Sequence, residues 1–394
     1  MKHKFFRALE YAKQLLLLLF FLPAGFLVKL LCPKFRHVWL VMERGNDARD
    51  NGYHFYRYLK TAHPEIRAYY VIDPKSPDRD KIAPLGGLVN YRSFRHYLLY
   101  YAADYLISTH VQPCAPDMIL FYHLAPKHIG SPAKQIFLQH GIIKDEMKWL
   151  HRENLKIDLF VCGAKPEYEY IKSTFGHPEN VPQYLGLCRF DHLLCASKPE
   201  KMILVMPTWR GSRYPSGAAF ENTTYFHAFH SLLNNPELAR KLAEEGYTLI
   251  FYPHVEMQKY MPLFHAHAPS CKNIILADRT THDVQDLLMR CSLLITDYSS
   301  VFFDVAYLHK PVIYYQFDDE EFRAYHYQEG YFDYKTLGFG PVCDTEDALL
   351  EQISQAFANH MQMSPLYQKR TDEFFPLRDD GNCKRTYEAI RRLK

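Results

Sequence analysis

The sequence predicts an α/β protein of two Rossmann-like domains facing a cleft, with a short hydrophobic membrane-associating segment in front of them. Three observations carry this expectation. Short β-rich runs alternate with helical stretches, the signature of parallel strands wound by crossovers. The alternation breaks in the polar stretch "LLCASKPEKM" at 193–202 and restarts with "ILVMPTWR". The 394 residues are long for one domain and comfortable for two. The expected boundaries are 1–36 for the hydrophobic and basic segment, 37–195 for the first domain and 196–394 for the second, its C-terminal helices included.

The first element is "LLLLLFFLPAGFLV", Leu15 to Val28, free of charge and flanked by Lys2, Lys4, Arg7 and Lys13 before it and Lys29, Lys34 and Arg36 after it. Its 14 residues fall short of the ~20 that span a bilayer, and Pro23 lies within them. "LLCPKFRHVW" is a poor signal-peptide cleavage site. Basic residues on both sides suit an element held at the anionic inner leaflet, so a peripheral or monotopic anchor on the cytoplasmic face is expected ahead of a short spanning helix.

In the first domain the expected order is strand "HVWLVME", helix "DNGYHFYRYLKTA", strand "AYYVID", helix "SFRHYLLYYAA" and strand "DYLIST". Strands "KQIFLQHG" and "IDLFVCG" follow, then a helix from about Pro166 to Thr174. After the break come strand "ILVMPTWR", a helix with Asn234, Asn235 and Pro236 inside its course, strand "YTLIFYPHV", a short strand "NIILAD" and helix "THDVQDLLMRC". Strand "SLLITD", a helix opening at Ser299 in "SSVFFDVAYLHK" and strand "PVIYYQF" complete the series.

Several function classes are disfavoured at this stage. A formal charge of +3, from 47 Lys and Arg against 44 Asp and Glu, is too small to imply nucleic acid. Nine cysteines without a C-x-x-C pair argue against a disulfide framework or zinc ribbon and for a reducing compartment. The chain has no P-loop, dinucleotide-binding, zincin or nucleophile-elbow motif. Its D-x-D pair, Asp78 and Asp80, sits in a Pro-flanked polar stretch that reads as an exposed loop, so no metal site is expected there.

Ligands of doubly wound sheets bind beyond the carboxyl ends of the strands. His140 with Gly141, Pro207 to Arg210, His254, and Thr296 to Ser300 all lie just past such ends. His140 suits proton abstraction from a hydroxyl, against the plainer role of capping a turn, and Gly141 permits close backbone approach. Lys144 reads equally as a phosphate partner or a solvated cation. Thr208 and Arg210 offer a hydroxyl and a planar fork for phosphate, against a surface Arg packed on Trp209. His254 suits a phosphate contact or a general acid, against a structural histidine. In "ITDYSS", Thr296 and Asp297 end a strand, Ser299 is a natural N-cap, and Ser299 and Ser300 add hydroxyls at a helix start that attracts anions. Asp304 falls on a nearby helical face.

Taken together these residues resemble the CDP-glycerol glycerophosphotransferase family, the primases and polymerases of teichoic acid and related polymers, from about residue 38 to the C-terminus. "TDYSSVFFDVAYLHKPVIYY" is similar to the family's T-D-Y-S-S-x-x-x-D hallmark with its following Lys310-Pro311. "GNDARDNGYHFYRYL", with Asp50 and Asn51, resembles its Gly-rich turn and aromatic helix. "HGIIKD", "GLCRFDHLL" with Gly186, Arg189 and Asp191, "PTWR", "FYPHV", "GYFDY" with "GFGP", and "DDGNCKR" resemble further elements. Ile142 and Ile143, Cys188 and Tyr252 depart from the family pattern.

The resemblance implies a GT-B-like fold and transfer of glycerol phosphate from CDP-glycerol to a hydroxyl of a lipid-linked glycan or glycerol-phosphate acceptor, with release of CMP and no cofactor. Catalysis would fall to His140 and His254. Donor phosphates would meet Thr208, Arg210, Thr296, Ser299, Ser300 and Asp304, and other substrate contacts Asn51, Gly141, Lys144, Arg189 and Asp191. A transferase using CDP-ribitol or a nucleotide sugar is the rival among enzymes. An inactive membrane-bound scaffold is the rival of another class, and the presence of both histidines counts against it.

Overall fold

The computed structural model describes residues 2–112, 114–118, 131–195, 198–210, 214, 217–325 and 328–393. The chain divides into two compact units, one of residues 1–142, 147–192 and 379–394, the other of residues 143–146 and 193–378. The division falls three residues before the expected boundary at 196, a position outside the described residues. The C-terminal segment, expected with the second unit, belongs to the first.

The first unit is a seven-stranded parallel sheet formed by β1 (Val38–Met42), β2 (Arg67–Ile72), β3 (Leu88–Asn90), β4 (Tyr105–Ser108), β5 (Lys134–Phe137), β7 (Leu159–Cys162) and β8 (Pro182–Tyr184). The short β6 (Asp145–Glu146) lies outside this sheet. The order β3-β2-β1-β4-β5-β7-β8 is the Rossmann arrangement, with the reversal of strand order between β1 and β4. Both faces are covered, so the strands read as apolar runs: all of Val38–Met42 is buried. Phe55, Tyr56 and Leu59 of the helix Asn51–Ala62 pack into this core.

The last helix, Asn382–Arg392, inserts Cys383, Ala389 and Ile390 into the same core. Asp191 holds its first turn by accepting from the N–H groups of Asn382 and Cys383, each at 2.9 Å. Gly186, at φ +78°, faces the Asn382 side chain so closely that a Cβ there would collide with it. These long-range contacts outweigh sequence position, which explains the departure from the expected boundary.

The N-terminal segment is one continuous helix, Lys2–Leu31, and Phe6–Leu31 is long and apolar enough to cross a membrane by length and composition. The 14-residue reading was too short because the helix runs on through Lys13 and through Pro23, whose missing N–H removes one bond from a 30-residue ladder. One side docks on the helix Phe94–Ala102. Phe21 stacks on Tyr97 with ring centroids 4.7 Å apart, Gly25 admits Tyr101, and Lys29 pairs with Asp104 at 2.5 Å. Leu16, Leu19, Phe20, Phe26 and Leu30 on the helix are exposed.

The second unit repeats the arrangement. Its six parallel strands, β9 (Met202–Met206), β10 (Thr248–Phe251), β11 (Ile274–Leu276), β12 (Leu293–Thr296), β13 (Val312–Tyr315) and β15 (Val342–Cys343), lie in the order β11-β10-β9-β12-β13-β15. A small antiparallel pair joins β6 to β14 (Gln328–Glu329). The helix expected through Pro236 is two helices, Thr224–Leu233 and Pro236–Glu245. Asn235 caps the second by accepting from the N–H groups of Glu237 and Leu238, and Pro236 takes the first position, where no N–H is needed.

Asp78 also departs from expectation. It is 1% exposed and accepts from the Ala48 N–H and from Arg49 Nε at 2.7 Å, so the stretch around it is a packed turn. If the last helix belongs to the first unit, Ile390→Ala removes about 2–5 kcal/mol from that unit. Hydrogen exchange should then accelerate across residues 37–192 and leave 202–343 protected, and equal acceleration in both would contradict the assignment.

Candidate active site

In the first unit the chain turns sharply after β5. Gln139 takes a left-handed conformation, φ 63°, and is fully buried, its amide donating to the Val161 carbonyl at 2.6 Å. The turn delivers His140 to the surface with 65% of its side chain exposed. Its Nδ1 lies 2.5 Å from Asp50 Oδ2. Asp50 is the N-cap of the helix Asn51–Ala62, its Oδ1 accepting from the Asn51 N–H at 2.7 Å and from Arg189 at 2.9 Å. The same guanidinium nitrogen donates to the His140 carbonyl at 2.8 Å. Asn51 closes the ring by donating to the Gln139 carbonyl at 2.8 Å and accepting from the Arg189 N–H at 2.9 Å.

Burial alone would push the Asp50 carboxyl up, but His140 and Arg189, which both face it, hold it below the ordinary carboxylate range. An ionised Asp50 accepts, so the hydrogen-bond network assigns the proton to Nδ1 of His140. The Nε2 lone pair then faces outward, with no partner among the described residues.

Behind this group, Glu43 follows β1 at 2% exposure and accepts from the N–H groups of Arg49, Asp50 and Tyr53 at 2.9–3.0 Å. Burial, then the Asp50 charge, pushes its carboxyl up to about 7. His54 stacks on His192 with centroids 5.2 Å apart, and burial followed by His192 lowers it to about 3. Asn51, Arg189 and Asp191, expected from the resemblance to touch substrate, hold the site together: two within the His140 ring of bonds and one at the last helix. Gly141 is half-buried beside His140.

In the second unit, Asp297 performs a comparable task. It accepts from the Thr208 N–H at 2.8 Å and the Thr208 hydroxyl at 2.6 Å, which ties the end of β9 to the end of β12 across the reversal of strand order. Arg210 is 6% exposed and saturated: it meets Asp297 Oδ2 at 2.7 Å, both Asp318 oxygens at 2.8 and 3.1 Å, and the Thr208 carbonyl at 2.9 Å. The expected phosphate fork is therefore filled by carboxylates. Burial opposes the charge of Arg210, yet the two carboxylates hold its pKa above the ordinary value, while burial pushes the Asp318 carboxyl up. Thr296 is likewise turned inward, donating to the Met206 carbonyl at 2.6 Å.

Ser299 and Ser300 are half-buried, and neither hydroxyl has a partner among the described residues. The helix begins at Phe302, not at Ser299, because the first bonds are short-range ones, from Phe302 to the Ser299 carbonyl at 3.5 Å, from Phe303 to the Ser300 carbonyl and from Asp304 to the Val301 carbonyl. Asp304 is buried on that helix. Lys310 is also buried, donating to the carbonyls of Leu288 and Met289 at the end of the helix Val284–Arg290. Lys144, left open between phosphate and solvent, is 6% exposed, paired with Asp145 at 2.5 Å and set over the Tyr334 ring. His254 is exposed, its ring 6.3 Å from that of Trp209, and Nδ1 accepts from the Glu256 N–H at 3.3 Å.

Sequence reasoning passed over Glu43, Asp318 and the role of Asp50. Asp50 had a signal, an N-cap residue directly before a helical run. Asp318 had none, since only packing brings it to Arg210. Arg210→Met should cost roughly 3–5 kcal/mol in urea unfolding, because it strands two buried carboxylates; a neutral outcome contradicts this account. Glu43 titrates near 4.5 when unfolded and about 7 when folded. The fold favours its neutral form, so stability relative to Glu43→Gln falls as pH rises from 4.5 through 7, by up to roughly 3 kcal/mol. Stability curves across that window check the sign.

The minor teichoic acid biosynthesis protein GgaB of Bacillus subtilis (strain 168) is 34% identical over 374 residues, covering 90% of this chain and 40% of GgaB. The teichoic acid poly(glycerol phosphate) polymerase of the same organism is 23% identical over 361 residues, 85% of this chain and 46% of the polymerase. The chain thus spans less than half the length of either relative. Among solved structures, the wall teichoic acid polymerase TagF, in a variant soaked with CDPG, superposes with a TM-score of 0.66 at 17% identity over 99% of this chain and 98% of that one. A UDP-GlcNAc 2-epimerase from Neisseria meningitidis gives 0.53 at 11% identity over 90% and 99%. At these identities the likeness is one of fold, and it is GT-B-like. Residues 26–392 match the CDP-Glycerol:Poly(glycerophosphate) glycerophosphotransferase family, and the chain belongs to that family.

Proposed function

We propose that the protein transfers glycerol phosphate from CDP-glycerol to a hydroxyl of a lipid-linked or glycerol-phosphate acceptor, with release of CMP. The observation that carries this reading, beside family membership, is the Asp50–His140 pair with its outward Nε2. His140 Nε2 takes the proton of the acceptor hydroxyl as the oxygen attacks the phosphorus bearing glycerol. One P–O bond forms, the P–O bond to CMP breaks, and the electron pair leaves with CMP. Asp50 steadies the imidazolium formed in that step.

The donor diphosphate is assigned to the turn 298–301, where the Ser299 and Ser300 hydroxyls await an acceptor, with the exposed His254 as a further contact. Arg210, Asp297 and Thr208 act indirectly by fixing that turn, so that its donors are in place before the phosphate arrives. The proposal needs no metal or cofactor, since hydroxyls, histidines and backbone donors carry the charge. The helix Lys2–Leu31, docked on one side and apolar on the other, suits a monotopic anchor at the inner leaflet, where a lipid-linked acceptor is found.

Purified protein given labelled CDP-glycerol and a lipid-linked acceptor should release CMP, faster than with CDP-ribitol or UDP-sugars. His140→Ala should lower turnover by about 10²–10⁴-fold, and unchanged turnover in that variant overturns the base.

A further inference from the structure

The carboxyl edge of the first sheet holds a charge that the reaction above does not use. Arg44 follows β1, is exposed, and donates from Nε to His110 Nε2 at 2.8 Å. His110 follows β4, and its Nδ1 lies 2.8 Å from the Thr109 hydroxyl. To accept from Arg44 the ring must be neutral with its proton on Nδ1. Burial, then the neighbouring His140 and Arg44, keep it so by lowering its pKa to about 3. A neutral imidazole thus orients the guanidinium and occupies Nε alone. The two terminal nitrogens have no partner among the described residues, whereas Arg49, Arg189, Arg210 and Arg290 all face carboxylates.

The location is specific. β1, β4 and β5 are neighbours in the sheet, so Arg44, His110 and His140 follow three consecutive strand ends, and the rings of His110 and His140 are 5.3 Å apart. An aimed, unpaired guanidinium offers two parallel donors that match two oxygens of a phosphate. We infer that Arg44, oriented by His110, is a phosphate subsite beside His140 that takes the acceptor's phosphodiester, one glycerol behind the attacking hydroxyl. This rests on the reading of His140 as the base. An acceptor end that already carries glycerol phosphate fills the subsite, and a bare sugar hydroxyl does not, so the site favours extending a chain over starting one.

Phosphate could reach Arg44 from the acceptor or from the donor, and the test separates them. The full chain is titrated with a short oligo(glycerol phosphate), with an uncharged oligoglycerol of equal length, and with CDP-glycerol. Arg44→Gln should weaken the first by about 10-fold or more and leave the second as it is. In turnover, the rise should appear in KM for the phosphorylated acceptor more than in kcat. Arg44→Lys, which keeps the charge but lacks the fork and the Nε donor to His110, should recover part of the loss, and melting curves confirm that both variants fold. Undiminished affinity for oligo(glycerol phosphate) overturns the subsite, and a loss confined to CDP-glycerol reassigns it to the donor and overturns the inference. Turnover that persists in His140→Ala overturns the base instead, a separate failure, because the binding comparison needs no turnover.

Discussion

The site depends first on one buried carboxylate set between a guanidinium and an imidazole. Asp50 caps a helix, receives Arg189 on one oxygen and orients His140 with the other. A carboxylate in such a place is costly to desolvate, and it stays ionised because the charges facing it are fixed by other elements. Arg189 is held through its backbone by Asn51, and Asn51 through the Gln139 carbonyl, so the histidine, its carbonyl and its partner move as one body. The arrangement is a pre-set proton acceptor, needing little reorganisation when a hydroxyl arrives.

The second unit solves a similar problem with the signs redistributed. There Asp297 bridges two strand ends, and Arg210 sits between Asp297 and Asp318 inside a cage of Tyr225, Tyr298, Phe317 and Phe322. Two carboxylates around one guanidinium leave the cluster electron-rich and inward-facing, so its contribution lies in rigidity. The turn that follows inherits that rigidity while keeping its own hydroxyls unspent. Both units therefore place an aspartate at the reversal of strand order or beside it, where a Rossmann sheet opens.

Most of the strands and the two-unit plan were legible because buried parallel strands leave apolar runs such as "HVWLVME" and "SLLITD" that little else in a sequence imitates. The polar residues after those runs were legible as candidates and not as roles. Nothing local distinguishes an Arg that meets phosphate from one enclosed by Asp318, which lies 108 residues away. Lys144 was open for the same reason, since it finds its carboxylate partner through the fold. The break at Asn235 was readable from its own chemistry, an N-cap followed by Pro236 at the first helical position, and was obscured by the apolar pattern continuing on either side. The length of the N-terminal helix was underread because a count of uncharged residues ignores that one lysine does not end a helix.

The last helix adds a constraint in time. The core of the first unit contains Cys383, Ala389 and Ile390, and Asp191 waits for Asn382 to satisfy it. During synthesis the whole second unit must be made before residues 382–392 exist to complete the first. Until then the unit bearing His140 has an open groove where a helix belongs. A nascent chain of this protein can hold a finished second unit while its first is still unsealed, so competence for chemistry arrives late and all at once.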